Sequence, residues 1–300
     1  MKEKKDYRLL LMILPFAIVI VMFYYVPLFG WSFAFFDYKP GIPLSKTPFV
    51  GFKFFELIWE DRVNIFRVVR NTLVLSGVGL LLSPVPALFA IFLNEIRFTK
   101  FRKLIQTTTT LPNFISWVIV FSLGFSLFGF DGVFNQLAAK IMGDGYEASS
   151  ILSNGTPWVV WIFQTLLMLW KTVGWSAIIY IAAITGIDPE LYDAANVDGA
   201  GRFKRICYIT IPEIMPTYIV LLLLSVSNML TVGFEQYFVF KNPMVMDAIE
   251  VLDLFVYRIG ITTNDYSYSI AIGILKTIIS ILLLFTVNKV SKKTRGESIF

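Results

Sequence analysis

Six stretches of this sequence are almost wholly apolar: 9–30, 73–94, 108–128, 158–184, 214–233 and 270–290. Each is close to the roughly 20 residues that a helix needs to cross the hydrocarbon of a bilayer. Inside a bilayer every backbone group must be satisfied within the structure, which leaves helices or closed barrels. Continuous apolar runs of this length select helices. The expected fold class is therefore all-α and polytopic, with six transmembrane helices. Only 16% of the 300 residues are charged, and 56% are hydrophobic. A soluble domain usually carries about 25% charged residues. The third stretch is the least regular at its start, where 107–110 is a run of four threonines. Threonine hydroxyls can bond back to helix carbonyls, so the run reads as a helix entry. The first stretch is too long for a cleaved signal peptide, and bulky Trp31, Phe33, Phe35 and Phe36 follow it instead of a small-residue cleavage site.

The cations give the chain a direction. With the N-terminus placed in the cytoplasm, fifteen Lys and Arg fall on inside segments and nine on outside segments. The inside set is packed against span ends, where positive charge sets orientation most strongly. Acidic residues divide nine inside and twelve outside. The overall charge of +5 thus resolves into +6 inside, −3 outside and +2 within the membrane, the last from Lys171 and Lys276. This distribution removes nucleic acid as a reading of the excess charge. Six spans then put both termini in the cytoplasm.

Three regions are expected along the chain. Residues 1–67 hold the first span and an extracytoplasmic loop punctuated by Pro40, Gly41, Pro43 and Pro48. Towards its end and just past it, 52–70 interleaves Phe54, Phe55, Ile58 and Trp59 with Glu56, Glu60 and Asp61, the pattern of an amphipathic segment lying on the outer face. Residues 68–290 form a core of five spans, and 291–300 a cytoplasmic tail.

Several kinds of chemistry are absent. The sequence has no G-x-x-x-x-G-K-[ST] phosphate loop, no G-x-G-x-x-G, no H-E-x-x-H and no C-x-x-C. It has no histidine, the commonest general base and metal ligand, and its single cysteine, Cys207, cannot form an internal bridge. The span interiors contain no Asp or Glu, which argues against a carboxylate proton relay. An integral-membrane enzyme is disfavoured on the same grounds. A stand-alone secondary transporter remains the alternative to a driven pathway. It would call for inverted repeats, broken helices and an ionisable coupling site.

The most informative segment is the inside loop 186–212. Asp188, Pro189 and Glu190 form a helix-start signal, with Pro189 suited to the first turn. Asp198, Gly199, Ala200 and Gly201 break that helix, and a second short helix with Arg202, Lys204 and Arg205 leads to Pro212. Small residues at 194, 195 and 199–201 permit close approach of another surface.

The run D-A-A-x3-G-x9-I-x-I-P from Asp193 to Pro212 resembles the E-A-A-x3-G-x9-I-x-L-P loop of bacterial ABC-importer permeases. Asp193 replaces the usual Glu and Ile211 the usual Leu. Asn71-Thr72-Leu73, Leu111-Pro112-Asn113-Phe114-Ile115-Ser116-Trp117, Trp170-Lys171, Gly233-Phe234-Glu235-Gln236 and Tyr266-Ser267-Tyr268-Ser269 are similar to the sugar-type permeases, in particular the LplB-type subfamily associated with complex sugars and oligosaccharides. The resemblance implies a type I importer transmembrane fold and a transport subunit without its own ATPase. It implies no cofactor in this chain, with ATP and Mg bound by a partner ATPase dimer. The other implied partners are a second, different permease subunit and an extracytoplasmic sugar-binding protein, all at the bacterial cytoplasmic membrane among its lipids. It further implies that Asp193, Ala194, Ala195, Gly199, Ile209 and Pro212 form the ATPase-coupling site, and that transport runs by alternating access. Sugars are bound by aromatic faces, amides and charges, so Trp170, Lys171, Trp175 and Asn228 are the substrate-path candidates. Lys171 stands out, because a mid-span cation is costly unless it faces protein or water. As an acidic-sugar contact it would make the substrate a uronide. Asn228 also suits a hydrogen bond between helices.

Overall fold

The computed structural model describes residues 7–143 and 146–295. Its helices are α1 (Tyr7–Ile20), α2 (Lys53–Glu60), α3 (Arg62–Leu81), α4 (Pro84–Asn94), α5 (Thr99–Thr110), α6 (Trp117–Phe128), α7 (Val133–Met142), α8 (Pro157–Thr185), α9 (Pro189–Val197), α10 (Arg202–Arg205), α11 (Ile211–Ser227), α12 (Phe234–Phe240), α13 (Met246–Ile249), α14 (Leu252–Tyr257) and α15 (Tyr266–Arg295). Among the described residues there is no strand; the only β pairing is an isolated bridge between Phe36 and Phe49. Six helical stretches are long and apolar enough to cross a membrane: Leu11–Phe35, Arg62–Asn94, Trp117–Met142, Pro157–Thr185, Arg202–Ser227 and Tyr266–Lys289. The all-α, six-span expectation holds.

Three boundaries differ from the sequence reading, each for a local reason. The third span begins at Trp117, because a 3₁₀ turn, Leu111–Phe114, and extended Ile115 and Ser116 separate it from α5. Pro112 carries no amide hydrogen and cannot continue the α5 ladder. The 52–70 segment divides at Asp61: Lys53–Glu60 is a short helix, while Arg62 already starts the second span. The fifth span begins at Arg202, since α10 runs through a widened π-turn, Ile206–Thr210, directly into α11. That turn, closed by a bond from the Ile211 N–H to the Ile206 carbonyl, sits where the Pro212 ring would otherwise crowd the preceding turn.

The chain divides into two compact units. One comprises Met1–Ile65 and Phe255–Ile278, the other Phe66–Leu254 and Ile279–Phe300. In the first, Ser267 accepts from the Tyr38 N–H at 3.0 Å and donates to the Phe36 carbonyl at 2.7 Å. Tyr268 donates to Asp61 at 3.0 Å. A Cβ on Gly260 would lie 2.7 Å from the Ser269 hydroxyl. The Tyr266–Ser269 phrase thus packs this unit.

The second unit holds two apolar clusters. One gathers Leu75, Val120, Val160, Tyr237, Phe240, Ile249 and Leu254. Burial pushes the Tyr237 phenol well above its ordinary range. The other gathers Ala87, Ala90, Ile91, Ala177, Tyr180, Ile184 and Ile214. Small alanines let α4 and α8 approach closely in the latter, the usual device where apolar packing must work without water. Buried polar side chains fix the register of the unit. Asn71 donates to the carbonyls of Asp247 (2.9 Å) and Glu250 (3.1 Å), and Thr72 accepts from the Leu252 N–H at 2.9 Å. Gln236 donates to the carbonyl and side-chain oxygens of Gln164, both at 2.8 Å. Arg67 pairs with Asp247 (2.6 Å) and with fully buried Glu250 (3.0 Å).

Candidate functional site

The loop after α8 folds as its residues dictate. The Asp188 side chain accepts from the Glu190 N–H at 3.0 Å, capping α9, with Pro189 at the first helical position. At the other end Gly199 has φ +72°; the Ala200 N–H reaches the Ala195 carbonyl (2.8 Å) and the Gly199 N–H reaches that of Asn196 (3.1 Å). These two bonds define a Schellman terminator, which needs a left-handed residue where Gly199 sits. A Cβ there would meet nothing within 4 Å, so backbone conformation alone selects glycine. Two tethers hold the helix: Tyr192 hydroxyl to Thr210 hydroxyl at 2.9 Å, and Arg205 to the Asn196 side-chain oxygen at 2.6 Å. Asp193, Ala194, Gly199 and Pro212 are exposed, while Ala195 and Ile209 are half-buried. Val197 (88% exposed) and Phe203 (78%) leave apolar surface beside them.

A second arrangement centres on Lys171, a buried cation in mid-span. Its Nζ donates to the carbonyls of Pro112 (3.0 Å), Asn113 (2.9 Å) and Ile115. It also lies 5.4 Å from the centre of the Trp117 ring. They lie at the break before α6, where the Pro112 carbonyl also accepts from the Ile115 N–H at 3.2 Å and those of Asn113 and Ile115 are freed from the helical ladder. Unpaired in hydrocarbon, each would cost several kcal/mol. One ammonium with three donors satisfies all three, and the carbonyl dipoles stabilise its charge in return. One turn on, Gly174 lets α8 touch the end of α5: a Cβ there would lie 2.2 Å from the Thr109 carbonyl oxygen. Trp175 then meets the Phe114 ring edge-on at 5.6 Å. The chemistry of Lys171 is thus backbone capture, with all three protons committed.

The third feature is a cavity of about 500 Å³ between α4, α8 and α11. Its polar lining is uncharged and rich in hydroxyls, including Ser83, Thr172, Ser176, Tyr218 and Ser225. Ser83 and Tyr218 hydrogen-bond across it at 2.9 Å. Of the four substrate-path residues, Trp175 and Asn228 line this cavity; Trp170 and Lys171 do not. Asn228 donates to the Leu224 carbonyl one turn back at 3.0 Å, a bond within its own helix. Sequence reasoning missed Phe114, Ser83 and Tyr218. Only their polarity or aromaticity within an apolar run marked them. Among the described residues no group of His, Cys, Asp and Glu is arranged to hold a metal ion.

These features belong to a transport scaffold, and the comparisons define its class. The chain belongs to the family of binding-protein-dependent transport system inner membrane components, whose model matches residues 83–296. Its relatives include the protein LplB of Bacillus subtilis, 38% identical over 99% of this chain and 92% of that protein. They also include the polygalacturonan/rhamnogalacturonan transport system permease protein YteP of Bacillus subtilis, 39% identical over 97% of this chain and 90% of that one. Among solved structures, a chain of a bacterial alginate ABC transporter in complex with an alginate pentasaccharide-bound periplasmic protein superposes with TM-score 0.86. It is 33% identical, covering 98% of this chain and 97% of that one. The chain is a permease subunit with the type I importer fold. An interrupted helix, expected of a secondary transporter, does occur at 111–116, but family membership places it in an importer permease.

Proposed function

We propose that this chain is the permease subunit of an ATP-driven importer that carries an oligosaccharide across the cytoplasmic membrane by alternating access. The observation that carries the substrate class is the neutral, hydroxyl-rich cavity with an aromatic wall at Trp175. Ring faces meet the apolar faces of sugars, and hydroxyls and the Asn228 amide exchange hydrogen bonds with sugar hydroxyls. The names of two relatives, one a polygalacturonan/rhamnogalacturonan permease and one from an alginate transporter, support the same class. A uronide contact through Lys171 is not part of this reading, since its protons are held by backbone carbonyls.

In this reading both termini lie in the cytoplasm and the 186–212 loop faces a separate ATPase dimer, which binds ATP and Mg. The chain itself performs no catalysis. A second, different permease subunit completes the pathway, and an extracytoplasmic binding protein delivers the sugar. The exposed Asp193, Ala194, Gly199 and Pro212, with half-buried Ala195 and Ile209, receive the motion of the ATPase. ATP binding supplies the differential energy between inward- and outward-open states that any such switch requires.

The test is reconstitution of the full chain with its second permease, ATPase and binding protein in vesicles. Sugar uptake should depend on ATP and on the binding protein. Uptake by this chain alone, indifferent to ATP, would establish the secondary-transporter reading instead. Gly199→Pro forces φ near −65° where +72° is needed. It should abolish stimulation of ATPase by the loaded binding protein while leaving membrane insertion intact.

A further inference from the structure

The face of α5 that points away from α8 combines residues that suit neither water nor hydrocarbon alone. Gly174 receives the backbone of α5 at Thr109 and Thr110, so that side of the helix is packed. On the open side Phe98 is 70% exposed, Phe101 52% and Leu104 62%. The three recur at intervals of three residues and form one stripe. Arg97, Lys100 and Lys103, all exposed, adjoin it. From Arg97 to Phe130 the sequence holds no Asp or Glu. A groove of about 520 Å³ is lined by Phe98, Lys100, Phe101 and Leu104, so the cation shares one hollow with the apolar side chains.

Two phenylalanines and a leucine facing water would be unfavourable, and three cations in hydrocarbon far more so. The medium that suits both is the level of the lipid phosphates, with acyl chains on one side and headgroup charge on the other. The position agrees: α5 follows the second span, which ends at Asn94, and precedes the third, which starts at Trp117. The charge is also complementary, since the patch is purely cationic. We propose that this face of α5 is a binding site for an anionic phospholipid. Lys100, Lys103 and Arg97 would hold the headgroup phosphate, and the groove between Phe98, Phe101 and Leu104 would take the first part of an acyl chain. The inference rests on membrane insertion, not on which sugar is carried.

The experiment uses the full chain, purified in a neutral detergent and depleted of lipid. Dioleoyl phosphatidylglycerol or dioleoyl phosphatidylcholine is added at equal concentration, and retained lipid is counted by native mass spectrometry. The wild type should retain phosphatidylglycerol preferentially. Lys100→Gln with Lys103→Gln should weaken that retention by roughly thirty-fold, from about 1 kcal/mol per cation near an anionic headgroup. Lys140→Gln, an exposed lysine on α7, should leave it unchanged. Both substituted lysines of the double variant are exposed, so folding is not at issue. Equal retention of the two lipids, or an unaffected double variant, would overturn the site. So would a cross-linker at Phe101→Cys in the assembled transporter that captured another subunit and no lipid.

Discussion

At Gly174 an added Cβ would lie 2.2 Å from the Thr109 carbonyl oxygen; at Gly199 it would meet nothing within 4 Å. Yet Gly199, at φ +72°, also favours glycine. The first glycine is fixed by what another segment places against it, the second by the conformation of its own backbone. The same contrast runs through their surroundings. Around Gly174 the contacts are long-range and redundant: buried Lys171 gathers three carbonyls and Phe114 abuts Trp175. Around Gly199 they are short-range, with one cap, one terminator and two side-chain tethers, beside exposed apolar Val197 and Phe203. A region built the first way keeps its shape. A region built the second way is a self-contained helix that offers a surface.

The largest effect should come from Gly174→Val. The obstructing atoms are backbone, which cannot rotate aside, so overpacking should cost about 3 kcal/mol or more. Unfolding in graded SDS should show the loss, together with poor recovery of folded chain. Wild-type behaviour would mean that α5 and α8 are not in backbone contact.

Lys171→Met comes next. It leaves the carbonyls of Asn113 and Ile115 without a donor and that of Pro112 with only the Ile115 N–H, at about 1–3 kcal/mol for each bond lost, while relieving the desolvation of a cation. A net loss of roughly 2–4 kcal/mol is expected on that balance. Lys171→Arg should recover part of it. If Lys171→Met kept its stability but lost sugar-stimulated ATPase, the cation would belong to the pathway and not to the break.

Gly199→Ala should act locally. Placing a Cβ in the left-handed region costs about 1–2 kcal/mol, and the strain falls on the terminator of α9. Global unfolding should barely move, while stimulation of ATPase by the loaded binding protein should fall. Gly199→Asn should be milder, because asparagine tolerates that conformation. Loss of global stability equal to that of Gly174→Val would erase the distinction between the two regions.

The same contrast sets what was legible in the sequence. The six spans were visible because their length is dictated by the bilayer. The α9 helix was visible because Asp188, Pro189 and Gly199 each act on their own neighbours. The break at 111–116 was read as a continuous entry, because a run of threonines is compatible with helix and the deciding partner, Lys171, lies more than 50 residues away. Lys171 was recognisable as a cation that must face protein or water, but carbonyls carry no sequence signature, so its partner could not be named and a sugar carboxylate stayed open. The short helix expected to lead to Pro212 proved continuous with the fifth span, since the π-turn that carries it past the proline leaves no compositional trace.

The smallest predicted effect probes the local end of the comparison. Asp188 accepts one hydrogen bond, from the Glu190 N–H, at an exposed helix start. Asp188→Ala removes that acceptor and should cost about 1 kcal/mol. Because α9 is held downstream by Tyr192 and Arg205, the loss should be confined to its first turn. Amide exchange at Glu190 and Leu191 should therefore accelerate several-fold, while that of Ala194 and Ala195 stays near wild type. Asp188→Ser, which restores an acceptor of the right reach, should slow it again. If exchange rose equally along the whole of α9, the helix would be one cooperative unit hung from its cap. The Tyr192 and Arg205 tethers would then have to be removed from the account of how this loop keeps its shape.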